Sequence, residues 1–459
     1  MERIEITKIL GNQKLFFQTG NTIDVNFRIE MLKKLKEAIL KFQPRIEEAL
    51  YLDLGKSSSE SYMTEIGMVL SELNYMLKNV KKFSKPKRVK TPLAQFHSKS
   101  FTVSNPYGNV LIISPWNYPF LLTMDPLIAS ISAGNTTIIK PSAYSKNTSL
   151  VIKEILDSCF NEEYVATVLG GRNENNELLK QKFDFIFFTG SGEVGKIVLE
   201  NAAKNLTPTV LELGGKSPVI VDETADIKLA ARRIIFGKII NSGQTCVAPD
   251  YIICDEKIKD ELVCNLIQEI KNQLGEKPLD NANYPHIINK KHFDRLLGLI
   301  DKDKVSFGGN YNEETLQIEP TVLDNITFGD KVMLEEIFGP ILPVITYQKF
   351  MEVYDELKEL PKPLALYLFS NEKTRINFVL NHFRYGGGCI NDTIIHLATN
   401  NMPFGGVGES GMGSYHGEDS FLTFSHQKSI VDKKTWIDLP LRYQPYTEKK
   451  DKLIKKFLK

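Results

Sequence analysis

The sequence predicts an α/β protein built on parallel sheets and divided into more than one domain. Three observations carry that expectation. Short β-branched runs alternate with helical patterns from about residue 107 onward. Each run stops at proline or glycine, as in "GNVLIISP" and "FDFIFFTG". And 459 residues are long for a single core. Short apolar strands separated by helices indicate βαβ units, whose ligands gather at the C-terminal strand ends.

Along the chain, residues 24–83 read as helices, because apolar residues recur at helical spacing in "RIEMLKKLKEAILKF" and "MTEIGMVLSELNYMLKNVKKF". "SKPKRVKTPLAQFHSKSFTVSNP" is polar, basic and proline-marked, a connection or an extended hairpin. Four strands follow, in "GNVLIISP", "NTTIIKP", "FDFIFFTG" and "PTVLELGG", separated by helical patterns near 124–133, 146–159 and 193–204. A second α/β pattern runs from about 226 to 410. Its helices fall near 226–241 and 256–274, and its strands near 250–254, 341–346 and 364–369. No internal repeat or low-complexity segment interrupts it.

Composition narrows the functional classes. The chain is 42% apolar and 25% charged, with a net charge of +1, so no global field points to nucleic acid. The five cysteines form no CxxC and no disulfide framework, which favours a reducing compartment. "MERIEITKIL" lacks a basic-then-apolar signal pattern, and the longest apolar stretch, "PFLLTMDPLIASISAG", contains Asp125 and Pro126. A cytoplasmic protein is expected. The seven histidines show no HExxH spacing, so no metal site is expected, and no G-x-S-x-G occurs.

Six strings carry candidate chemistry. "GSGEVG", from Gly190 to Gly195, follows a strand and opens a helix, so its glycines would let backbone approach a pyrophosphate; a tight strand-to-helix turn is the plainer reading. The same fingerprint expects an acidic residue about 20 positions on for ribose, and Glu212 fits. Lys140 ends a strand in "IIKPSAYS", where it would reach ribose hydroxyls or simply be solvated. Asn117 in "SPWNYPF" carries an amide able to donate to an oxyanion, or is an ordinary turn residue. Cys246 in "NSGQTCVAPD" sits between small and polar flanks, which suit a reactive thiol as well as a buried inert one. Glu336 and Phe338 lie in "LEEIFGPILPV", as ribose ligand and ring contact or as a charged loop before a strand. The glycines of "MPFGGVGESGMG" form a packed loop rather than a linker, given Pro403, Phe404 and Val407.

In this order, and over nearly the whole chain, the six strings resemble the aldehyde dehydrogenase superfamily. "LPLRYQPYTEKK" near the C-terminus is most similar to its class 3 branch. The resemblance implies Cys246 as nucleophile, with the Asn117 amide and the Cys246 N–H holding the oxyanion. It makes Glu212 the base that activates water, overruling the ribose assignment. Lys140 and Glu336 would take the ribose, with Phe338, Leu213 and Gly214 around the nicotinamide. Trp116, Ser142, Gly190, Ser191, Val194 and Gly195 would complete the cofactor site. Many NAD-specific relatives carry an acid where this chain has Ala143, so the cofactor is NAD or NADP.

The resemblance also implies a cofactor-binding domain from 1–83 and 105–211, an oligomerisation hairpin from 84–104 with 425–436, a catalytic domain from 212–411 and a tail from 437–459. It implies a homodimer acting on a lipophilic aldehyde, whether aliphatic, aromatic or polyene, through a largely apolar tunnel near Tyr118, Leu121, Thr245, Val247 and Ile394 to Leu397. The basic tail "EKKDKLIKKFLK" is a solvated or dimer-packed tail, or offers peripheral membrane contact. The competing readings are a coenzyme A-dependent acylating enzyme, which Glu212 opposes, a non-catalytic nucleotide-binding protein, and a thiol redox sensor.

Overall fold

The structure, a computed structural model, describes residues 3–458. Its first large sheet has six strands, in the order Gly411–Met412, Thr209–Glu212, Phe185–Thr189, Asn109–Ile113, Thr136–Lys140 and Val165–Thr167. All pairs are parallel except that of Gly411–Met412 with Thr209–Glu212. The three middle strands are buried along their whole length. Helices cover both faces of such a sheet, which is why these strands read as unbroken apolar runs rather than alternating ones.

The chain enters at Asn109–Ile113, builds outward through Thr136–Lys140 and Val165–Thr167, then returns to the other side at Phe185–Thr189. The order therefore reverses between Asn109–Ile113 and Phe185–Thr189. Their C-terminal ends open into the loops bearing Asn117 and Gly190, so a crevice forms where ligands of open α/β sheets bind. The glycine-rich turn thus follows the returning strand, and the entering strand leads into the Asn117 loop.

A seven-stranded second sheet runs Val305–Phe307, Thr321–Leu323, Ile341–Tyr347, Tyr251–Asp255, Pro218–Val221, Ala365–Phe369 and Gly387–Ile390. Only Val305–Phe307 is antiparallel within it. A third, antiparallel sheet joins Lys87–Val89, Ser98–Pro106 and Ser425–Lys433. Its long pairing runs from Ser425 opposite Pro106 to Lys433 opposite Ser98.

The N-terminal helical region is more divided than its periodicity suggests. Val25–Leu54 begins at the Asp24 cap, which accepts from the Asn26 amide at 2.9 Å, and stops at Gly55 in a left-handed conformation, φ 71°. A short helix, Ser58–Ser61, then widens into a π-turn over Tyr62–Ile66 before Gly67–Phe83 resumes. Helix Arg3–Gln18 escaped the periodicity for a physical reason. Ile6, Ile9 and Leu10 bury against the first sheet, but the fourth position of that face is polar. Gln13 is fully buried there and donates to the Thr137 carbonyl at 2.9 Å.

Candidate active site

The loop before Cys246 has unusual backbone. Asn241, Ser242 and Gly243 all have positive φ, at 51°, 51° and 72°. For the two non-glycine residues this conformation costs about 1–2 kcal/mol each, so surrounding contacts must hold it. They do. The Asn241 amide N–H donates to Glu60 at 2.7 Å, and the Ser242 hydroxyl donates to the Pro285 carbonyl at 2.5 Å. Gln244 donates to the carbonyls of Asn241 and His286 and accepts from the Ile288 amide, each at 3.0 Å. Gly243 packs so tightly that a Cβ there would lie 2.3 Å from the Gly339 carbonyl oxygen.

This turn delivers Cys246 to the Asn117 loop. The Asn117 Nδ2 donates to the Gln244 carbonyl at 3.0 Å, and Asn241 Nδ2 donates back to the Asn117 carbonyl at 2.8 Å. One hydrogen of the Asn117 amide is thereby used and the other remains for a ligand. Tyr118 and Thr245 share a hydroxyl contact of 2.7 Å. The Cys246 thiol is half-buried. Burial, then the nearby Glu336 and Glu212 carboxyls, push it up to about 12, although the backbone N–H groups of Cys246 and Val247 favour the thiolate.

Glu212 ends its strand 2% exposed, and neither carboxyl oxygen has a hydrogen-bond partner. Burial alone raises it well above the ordinary carboxylate range. Such a group costs stability unless something else uses it. Once ionised, it is a strong proton acceptor held in a dry site, as a general base must be.

The residues assigned to a dinucleotide fall on adjoining loops. Ser191 and Val194 are exposed at the start of helix Gly192–Ala203, whose first turn has no side-chain cap. A Cβ on Gly190 would strike Phe188 at 2.6 Å, and one on Gly195 would strike Leu213 at 2.8 Å, whereas Gly192 faces open space. The outer two glycines therefore allow close packing, and the face over Gly192 is free for a phosphate at the helix N-terminus. Buried Lys140 donates to the carbonyls of Pro141 and Gly170 at 2.8 and 2.7 Å, and burial lowers it to about 8. Ser142 is half-exposed beside it.

Glu336 lies across Gly214, where a Cβ would come within 2.4 Å of its carboxyl. Burial, then Asp250, raise Glu336 to about 8. Trp116 and Phe338 meet edge to face at 5.4 Å, with Phe338 at φ 51°. The donor set, the open glycine face and the unblocked helix start fit a dinucleotide. Among the described residues no group of three or more His, Cys, Asp or Glu side chains is arranged to hold a metal.

Residues 5–430 match the aldehyde dehydrogenase family. The chain belongs to that family. It is an NAD(P)-dependent oxidoreductase acting on an aldehyde. It is 48% identical to 4,4'-diaponeurosporen-aldehyde dehydrogenase of Staphylococcus aureus, over 98% of both chains. It is 42% identical to mouse aldehyde dehydrogenase family 3 member A2, covering 96% of this chain and 92% of that one. A solved structure described as the substrate-bound state of Staphylococcus aureus AldH superposes with a TM-score of 0.98, at 48% identity and full coverage of both chains.

Several residues of this aldehyde dehydrogenase site carried no motif signal. Lys56, in the turn between two N-terminal helices, and Glu60 and Glu65, from the segment that follows, reach the loops of Asn117 and Cys246. Lys216 donates to Asp250 and to the carbonyls of Val332 and Glu335, while Asp250 accepts from the Ile337 amide at 2.9 Å. Arg295 donates to the Ile337 carbonyl at 2.6 Å. These three bolt down the loop that carries Glu336 and Phe338. The expected tunnel lining also changes. Val247 is fully buried in the core, where its carbonyl accepts from Tyr367, and Leu121 is nearly so. Leu122, Ile394 and Leu397 are among the part-exposed apolar side chains packed on the large core that Cys246 also borders.

Proposed function

We propose that this enzyme oxidises a lipophilic aldehyde, aliphatic, aromatic or polyene, to its carboxylic acid through covalent chemistry at Cys246. The observation that carries the reading is the junction of a half-buried thiol, an anchored Asn117 amide and a buried Glu212 carboxyl with no partner. As thiolate, Cys246 Sγ attacks the aldehyde carbon. The resulting oxyanion lies between the second Asn117 amide hydrogen and the Cys246 backbone N–H. Lys140 and Glu336 would hold the ribose of a bound dinucleotide and Phe338 would lie on the side of its ring, and that group would supply the hydride acceptor. The thioester left on Cys246 then needs water. Glu212, after losing its own proton to solvent, takes one from that water as it attacks, and the Cys246 thiolate leaves.

Glu212 supports hydrolysis over transfer to coenzyme A. The substrate class rests on the apolar Leu122, Ile394 and Leu397 and on the carotenoid-aldehyde enzyme's similarity. Ile395, next in the chain to Ile394, lines a 520 Å³ cleft with Leu229, Phe236, Gln273, Asp392, Arg232 and Arg233. Arg233 is tied to Asp392 and to the Asn391 carbonyl, which leaves Arg232 as the cation at the rim.

The edge strand Ser425–Lys433, exposed from His426 to Asp432, supports a homodimer formed through that sheet. Helix Glu448–Phe457, with Lys449, Lys450, Lys452, Lys455 and Lys456 around exposed Leu453, supports peripheral contact with an anionic bilayer. No helix among the described residues is long and apolar enough to cross a membrane. Free cysteines throughout suit a cytoplasmic enzyme.

The test is reduced-cofactor formation with NAD and NADP across aliphatic, aromatic and polyene aldehydes, in wild type and Cys246→Ser. Turnover that vanishes in the variant and favours the longer, apolar aldehydes is the expected result. Turnover surviving in Cys246→Ser overturns the covalent reading, and preference for charged aldehydes overturns the substrate class.

A further inference from the structure

We propose that Lys56 and Glu65 form a buried ionic bracket that positions the Asn117 amide, and hence are positioning residues for the oxyanion. The inference rests on the role of Asn117 given above. Lys56 and Glu65 are fully buried and paired at 2.6 Å. The ammonium has three hydrogens, and each has a place. One goes to Glu65 Oε1, one to the Asn117 carbonyl at 3.0 Å, and the third faces the Tyr118 ring, with Nζ 3.9 Å from its centroid.

Glu65 is used as completely. Its Oε2 accepts from the amides of Phe120 at 2.8 Å and Leu121 at 3.1 Å, where helix Leu121–Ala133 begins. The π-turn over Tyr62–Ile66 carries Glu65. Such turns insert an extra residue into a helix and recur at functional sites. The Asn117 carbonyl therefore accepts twice, from Lys56 and from Asn241, and the amides of Phe120 and Leu121, three and four positions on, are tied as well. With the side-chain amide held by the Gln244 carbonyl, Asn117 has little freedom left.

Stability alone does not account for such a pair. Taking both charges out of water is costly, and an apolar pair of similar volume is often as stable. What a buried pair gives is a fixed geometry, and oxyanion donors lose effect when displaced by a fraction of an ångström. On the other side, Glu60 from the same segment fixes the Asn241 amide. One stretch, Lys56 to Glu65, thus holds both halves of the oxyanion site in register.

The experiment is a double-mutant cycle. One replacement is the neutral pair Lys56→Met with Glu65→Gln, which keeps an amide oxygen for the Phe120 and Leu121 N–H groups. The other is Asn117→Ala. The readouts are kcat/KM for a short aldehyde and the dissociation constant for NADH. Expected is a loss of at least about tenfold in kcat/KM for the neutral pair, with NADH binding within about twofold of wild type. In the Asn117→Ala background, the same replacement changes kcat/KM by less than about twofold, because the group it positions is gone.

An equal tenfold loss in both backgrounds overturns the proposal, as does an unchanged kcat/KM in the neutral pair or a parallel loss of NADH binding. Full activity in Asn117→Ala overturns the oxyanion reading itself, and the bracket with it, which separates the two failures. If the neutral pair does not accumulate as folded protein, Glu65→Gln alone enters the same cycle. It sets an amide N–H₂ against the ammonium and loosens its hold on Asn117.

Discussion

Replacing Glu212 with Gln should make the protein inactive and more stable at once, with a pH dependence set by the burial of this one carboxyl. In the folded enzyme Glu212 keeps its proton far above the ordinary carboxylate range, because burial disfavours the charge and no donor compensates. In the unfolded chain it releases that proton near about 4.3. Between these two values the folded state binds one more proton than the unfolded state. Stability therefore falls as pH rises, by about 1.4 kcal/mol per pH unit from this group. Gln has nearly the same shape and does not titrate. The gain of Glu212→Gln over wild type should be absent below about pH 4 and grow by that slope through the window above it. Unfolding entropy of about 2 cal/mol/K per residue, over a chain of this length, makes this roughly 1–2 °C per pH unit.

The assay is thermal unfolding of both proteins from about pH 5 to about pH 7, since the other buried acids, Glu72 and Asp125, cancel in the difference. The kinetic partner is a rapid-mixing experiment. Glu212→Gln should release about one reduced cofactor per active site and then stall, with kcat lower by about 10²- to 10⁴-fold, because only hydrolysis of the thioester needs the base. A stability difference that does not vary with pH would show that Glu212 is charged at rest. Undiminished steady turnover would show that another group activates the water.

Three further outcomes follow from the same geometry. Ala143, exposed three residues after Lys140, leaves room for a 2′-phosphate; Ala143→Glu should cut kcat/KM for NADP at least about tenfold while leaving NAD nearly unchanged, and equal losses refute the point. Lys140, lowered to about 8 by burial, is cationic below that pH, so NADH affinity measured by fluorescence should weaken as pH rises through about 8. In Lys140→Met affinity should be about 10- to 100-fold lower and flat with pH. Cys246, pushed to about 12 in the free enzyme, holds roughly a thousandfold less thiolate at neutral pH than an ordinary free thiol. Iodoacetamide should therefore label exposed Cys264 well before Cys246, and the reverse order by mass spectrometry would sink that assignment.

Elements whose neighbours enclose them on every side were the most legible. The strands ending at Ile113, Lys140, Thr189 and Glu212 have continuous apolar centres because both sheet faces are covered, and their polar residues fall only at the ends. Helix Arg3–Gln18 was not legible, since Gln13 breaks its buried face while still satisfying its hydrogen bonds. The short strands Val165–Thr167 and Pro218–Val221 are too brief for periodicity to register. Within the site, the Cys246 loop and the Gly190 turn stood out because unusual backbone demands unusual local residues, and Asn117 because Pro115 and Pro119 flank it. The left-handed run from Asn241 to Gly243 and the packing glycines at 190 and 195 are local constraints.

By itself, then, the sequence determined the alternation of elements, the loops that end the strands and the chemical kinds of residue placed there, because steric and hydrophobic constraints act between near neighbours along the chain. The tertiary structure alone decided which distant groups meet and what charge they carry. Lys56 reaches Asn117 across sixty-one positions, and Asp250 meets Ile337 across eighty-seven. Glu212 is an ordinary glutamate in the string "LELGG" and a dry, unpartnered acid in the fold. Electrostatic state depends on the water excluded by the whole molecule, a quantity that no local pattern of residues contains.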